Sequence, residues 1–103
     1  MSQLEAEKIA RNFAKLLKKK GFPLLYLYLF GSYTKGKQHK FSDIDIAVVS
    51  RLKKYTEKRE DFLWSLRHEI DDRIEPHYFT STQFKDLGAP LVYDIRKNGI
   101  KVS

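Results

Sequence analysis

Residues 43–49, Asp-Ile-Asp-Ile-Ala-Val-Val, alternate an acid with an isoleucine and then become wholly apolar. Side chains along a strand point to opposite faces in turn, so Asp43 and Asp45 share one face while Ile44 and Ile46 turn into a core on the other. A strand that leaves the core at one end fits this pattern. It constrains the fold to a sheet that is covered along most of this strand and open at its start.

The neighbouring segments supply the cover. Residues 2–20 carry Leu4, Ile9, Phe13, Leu16 and Leu17 at helical spacing, with Ser2 and Glu5 as a capping box and Gly21 as the stop. Leu24 to Phe30 is a continuous apolar run that suits a strand buried on both faces, and Gly31 ends it. Gly31 to Ser42 has room for one short helical turn and a loop. Lys53 to Asp71 returns to helical spacing through Tyr55, Phe62, Leu63, Leu66 and Ile70, with Trp64 off that stripe. Arg73 to Thr80 reads as a third strand, which Pro76 places at an edge or beside a bulge. Ser81 to Asp86 suggests a short turn, and Pro90 to Lys97 a last helix stopped by Gly99 before an Ile-Lys-Val tail.

The order is helix, strand, turn, strand, helix, strand, short helix, which predicts an α/β (α+β) domain: a small mixed β-sheet packed by helices. Between the first two strands there is no full crossover helix, so they can pair antiparallel or join a mixed sheet, and the sequence does not choose. At 103 residues, a single domain spanning 1–103 is expected, with any large substrate site shared with another molecule.

Hydrophobic residues make up 42% of the chain, enough for a folded core although 32% of residues are charged. The absence of cysteine excludes disulfides and thiolate metal sites. The first residues mix acids and bases unlike a secretory signal, and the run from Pro23 to Phe30 is far too short to cross a membrane, so a soluble cytoplasmic protein is expected. A formal net charge of +7 favours polyanionic partners. Lys18, Lys19 and Lys20 suit a helix C-terminus, whereas Lys35, Lys37 and Lys40 lie in the loop that leads to the two aspartates.

Two carboxylates held side by side repel unless water or a cation lies between them. Oxygen donors without cysteine favour a hard divalent ion, Mg²⁺ or Mn²⁺, over zinc. Taken alone, the pair also suits a solvent-facing strand. Upstream, Gly31-Ser32 opens a turn whose N–H groups can face an anion, with the Ser32 hydroxyl as a further donor. A polyphosphate gripped at one end and metal-bound at the other describes a nucleoside triphosphate site.

The combination of an apolar strand, Gly31-Ser32, a gap of ten residues and then Asp43-Ile44-Asp45, with Ser42 just before the first acid, resembles the signature of the polymerase-β-like nucleotidyltransferase superfamily. In size the chain is similar to its minimal branch, often paired with a HEPN-domain protein. The resemblance covers roughly residues 24–80. It implies the polymerase-β-like fold, ATP as substrate, and catalytic and metal-binding roles for Asp43, Asp45 and a third carboxylate on a neighbouring strand. It also implies nucleotide contacts from Gly31, Ser32 and Ser42. Glu75 is the best third acid, standing where the family usually has aspartate. His77 shares its face if the strand stays regular through Pro76, and is given no role; a contact with phosphate or acceptor and a structural hydrogen bond are both open.

By the same resemblance, the reaction is transfer of AMP from ATP to a hydroxyl, on a tyrosine of a HEPN toxin that the chain silences as an antitoxin within a hetero-oligomer. Two other readings stand beside it. One is an antitoxin that neutralises its partner by contact alone. The other, prompted by the charge, is a nucleic-acid-directed nucleotidyltransferase, although no groove-reading helix or RNA-binding motif accompanies the lysines. Tyr33 and Phe41 bracket the loop as candidates for stacking on a base.

Overall fold

A computed structural model describes residues 1–36 and 43–103. Helix α1, Gln3–Lys19, begins where the Ser2 hydroxyl accepts the Glu5 N–H at 3.2 Å. It ends in a Schellman motif: Phe22 N–H donates to Leu17 O at 2.9 Å and Gly21 N–H to Lys18 O at 3.1 Å, with Gly21 at φ +81°. The buried stripe is Ala6, Ala10, Phe13, Ala14 and Leu17. Leu4, expected in it, is instead 76% exposed. The three alanines carry the helix close to the sheet, a contact that a count of large apolar residues overlooks.

Four strands form one sheet in the order β3-β2-β1-β4. Strand β1 (Leu24–Phe30) runs antiparallel to β2 (Ile44–Ser50), which runs parallel to β3 (Ile74–Phe79). The sheet is therefore mixed, with the short first connection antiparallel. The parallel step requires a crossover, supplied by α2 (Glu57–Leu66) and a 3-10 turn at Arg67–Glu69. The expected helix start at Lys53 moves to Glu57, because the Thr56 hydroxyl caps Arg59 N–H and acids fill the first turn. Tyr55 therefore precedes the helix, and Phe62 is 37% exposed although its ring stacks on Phe22. Trp64 stands off the buried face as expected, with the Arg67 guanidinium over its ring.

Pro76 lies in β3 at the sheet's edge, as its missing N–H demands, and the register with β2 runs through it unbroken from Ile44↔Ile74 to Val49↔Phe79. Helix α3, Pro90–Asn98, has proline at its first turn. The tail beyond Gly99 adds a strand that its length concealed: β4, Ile100–Lys101, pairs antiparallel with β1 and is extended by Val102 N–H donating to Leu27 O at 2.8 Å.

The two sheet faces differ. Ile44, Ile46 and Val48 join Leu27, Leu29, Ile74 and the buried side of α1 in the main core. Ala47 and Val49 face the other way, with Phe30, Phe84, Val92 and Ile95. Strand β1 is buried on both faces only near its end; Leu25 is exposed and Tyr26 and Tyr28 are half-buried. Among the described residues, no helix is long and apolar enough to cross a membrane.

Candidate active site

The second face also carries polar side chains, from the start of β2 and from β3. In the parallel ladder Asp45 stands directly opposite Glu75, and Ala47 opposite His77. Period-two alternation places all three polar side chains on one face, and Ala47 leaves room between them. His77 Nε2 lies 3.1 Å from Asp45 Oδ1 and 3.8 Å from Glu75 Oε1. Asp45, Glu75 and His77 each offer a ligand atom within 4.8 Å of the others.

Asp43 is the last residue before β2 and is exposed. Its carboxyl lies outside the group formed by Asp45, Glu75 and His77. Partial burial pushes the pKa of Glu75 above the ordinary carboxylate value, the neighbouring Asp45 and Asp43 carboxylates push it the same way, and His77 opposes them. The fold thus brings together two of the three acids expected from sequence, Asp45 and Glu75, the latter holding its proton more tightly than usual, and leaves Asp43 exposed at the start of β2. It adds His77, whose ring edge packs against Phe30 with centroids 5.0 Å apart.

Gly31 follows β1 immediately and opens a single 3-10 turn, Gly31–Thr34. Two constraints fix glycine there. Its φ is +78°, a region that L-residues adopt at a cost, and a methyl group on it would overlap the Asp45 carboxylate. The turn is braced by the Thr34 hydroxyl donating to Gly31 O at 2.9 Å and tied to α3 by Lys35 and Asp94, 3.3 Å apart. Ser32 is half-buried in this turn. Ser42, with Lys37, Lys40 and Phe41, lies outside the described residues. Tyr33 is fully buried in the main core, which removes it as a surface for stacking a base.

The donor set fits a divalent cation: carboxylate oxygens from two adjacent strands, closer together than their charges favour, with no thiolate near them.

The model of the nucleotidyltransferase domain family matches residues 8–102. The chain belongs to that family. Within the nucleotidyltransferases it is 50% identical over 50 residues to the protein adenylyltransferase MntA of Shewanella oneidensis, a match spanning 48% of this chain and 33% of that protein. The match thus covers a third of the length of the curated relative. Among solved structures, a toxin–antitoxin crystal structure with AMP-PNP superposes with a TM-score of 0.66 at 28% identity, over 90% of this chain and 72% of that one. A variant of the MntA-HpeT toxin–antitoxin superposes with a TM-score of 0.65 at 25% identity, over 89% of this chain and 70% of that one. That variant carries glutamate for two aspartates spaced as Asp43 and Asp45 are. The polymerase-β-like resemblance read from Gly31-Ser32 and Asp43-Ile44-Asp45 is met by both family and fold.

His77 was the residue that sequence reasoning left unassigned. The one available signal was its period-two spacing from Glu75.

Proposed function

We propose that residues 1–103 form a single minimal nucleotidyltransferase domain that transfers AMP from ATP to a hydroxyl of a partner protein, a tyrosine of a HEPN-domain toxin, and thereby acts as its antitoxin. The observation that carries this reading is the register of β2 and β3, which sets Asp45 against Glu75 beside a glycine with no room for a side chain. An adenylyltransferase relative, a toxin–antitoxin neighbour with AMP-PNP and the altered aspartate pair in a second neighbour support it.

In this reading Asp43 and Asp45 hold a divalent cation, Mg²⁺ or Mn²⁺, with Glu75 as the third carboxylate. When bound, such an ion supplies positive charge to the α-phosphate and the departing pyrophosphate. Gly31 and Ser32 seat the distal phosphates with N–H and hydroxyl donors, and Ser42 adds a further contact. The Glu75 carboxylate accepts the proton of the attacking hydroxyl. The acceptor oxygen bonds to the α-phosphorus as the bond from that phosphorus to the β-phosphate bridging oxygen breaks, and pyrophosphate leaves in line. With so small a domain, the acceptor surface comes from the partner in a hetero-oligomer.

The test is incorporation of α-labelled AMP into a co-expressed partner. Label is expected with the wild-type chain and absent with Asp43→Asn plus Asp45→Asn; label that persists in the double variant refutes the assignment. A double variant that still protects cells from the partner shows that contact alone is the biological role.

A further inference from the structure

The proposed transfer uses three carboxylates and leaves His77 without work. Its position is specific. Nε2 faces Asp45 at 3.1 Å and Glu75 at 3.8 Å, the side chain is 29% exposed, and the ring lies against buried Phe30. Phe30 is itself the ladder partner of Asp45. One hydrophobic side chain therefore aligns the imidazole and flanks the acid that it faces.

Ligand atoms about 2.1 Å from a six-coordinate ion lie about 3.0 Å apart when adjacent and about 4.2 Å apart when opposite. The separations of 3.1 and 3.8 Å fall inside that span, and all three ligand atoms lie within 4.8 Å of one another. The donor set is two oxygens and one nitrogen. Mg²⁺ prefers oxygen and gives up water reluctantly, whereas imidazole is a good ligand for first-row transition ions.

We propose that His77 supplies an imidazole nitrogen to the cation held by Asp45 and Glu75, and that the site consequently selects Mn²⁺ ahead of Mg²⁺. This rests on reading the carboxylates as a cation site, as the proposed function does, and adds a ligand and the identity of the ion. A histidine that only orients Asp45 through a hydrogen bond would leave the choice of ion unchanged.

The experiment titrates Mn²⁺ into the full chain, stripped with chelator, and reads bound ion by electron paramagnetic resonance. Pulsed measurement of ¹⁴N coupling and competition by Mg²⁺ follow. Imidazole coupling is expected in the wild type and absent in His77→Gln and His77→Asn, with Mn²⁺ affinity reduced about tenfold or more and Mg²⁺ affinity changed by less than about twofold. Bound Mn²⁺ without nitrogen coupling in the wild type overturns the inference, and AMP transfer supported by Mg²⁺ would then leave the proposed function standing. No uptake of Mn²⁺, with or without ATP, overturns both. Because the coupling is read on the wild type, a variant that fails to fold does not shield the inference.

Discussion

Asp45 and Glu75 are ladder partners in a parallel strand pair, so their carboxyl groups emerge on the same face of the sheet. Two acids so placed destabilise the protein when both are ionised and nothing lies between them.

Glu75→Gln is expected to stabilise the metal-free protein near neutral pH. Folded Glu75 holds its proton above the ordinary glutamate value of 4.5. As pH rises from 4.5 through the folded value, the unfolded chain loses this proton first, so the folded state binds more protons and stability falls. The variant should therefore melt a few degrees above wild type at pH 7 in chelator and together with it near pH 4. Thermal unfolding across that range checks the sign.

Divalent cation should reverse the cost of the acidic cluster. Adding Mn²⁺ or Mg²⁺ should raise the melting temperature of the wild type through ligand linkage and leave Asp45→Asn almost unmoved. AMP transfer by Asp45→Asn should fall by more than about 10²-fold, the upper end of what losing a supporting hydrogen bond costs a metal site. Equal thermal shifts in the two proteins would show that the ion binds elsewhere.

Gly31→Ala should damage both stability and nucleotide binding. The positive φ alone costs an L-residue about 1–2 kcal/mol, and the added methyl displaces the Asp45 carboxylate. Chemical denaturation should register the first effect. A rise in KM for ATP, measured at a temperature where the variant is folded, should register the second.

Asp71 governs the entry to β3 in a different way. Its carboxylate accepts the Arg73 backbone N–H at 2.9 Å and two guanidinium N–H groups at 3.0 and 2.7 Å, which holds its pKa below the usual 3.8. The unfolded chain thus takes up this proton first as pH falls, and the contribution, present above 3.8, is lost through the lower folded value. Asp71→Asn should cost about 1 kcal/mol at pH 7 and nothing once acid protonates both states; denaturant titrations at the two pH values check it.

The legible parts of this protein were those encoded locally. Asp45 and Gly31 lie on one short stretch, where strand alternation and a turn glycine suffice to place them. The caps of α1 and the proline of α3 were equally local. His77 was not, because its approach to Asp45 depends on the register of two strands joined by a crossover, and on that register surviving Pro76. The strand at Ile100–Lys101 is too short for any periodicity, and its identity comes from the free edge of β1. Alanine gave too weak a hydrophobic signal to reveal the packed face of α1, and Tyr33, polar in a polar loop, is drawn into the core by the turn that follows Gly31.

The crossover between β2 and β3 makes the acidic cluster a late arrival in the life of each molecule. Asp45 and Glu75 are neighbours only after α2 has folded and the parallel strands have closed, a long-range step that follows local helix formation. On dilution from denaturant, helical circular dichroism should therefore recover before cation binding does, and a nascent chain that has not yet emerged past β3 holds only half of its ligands.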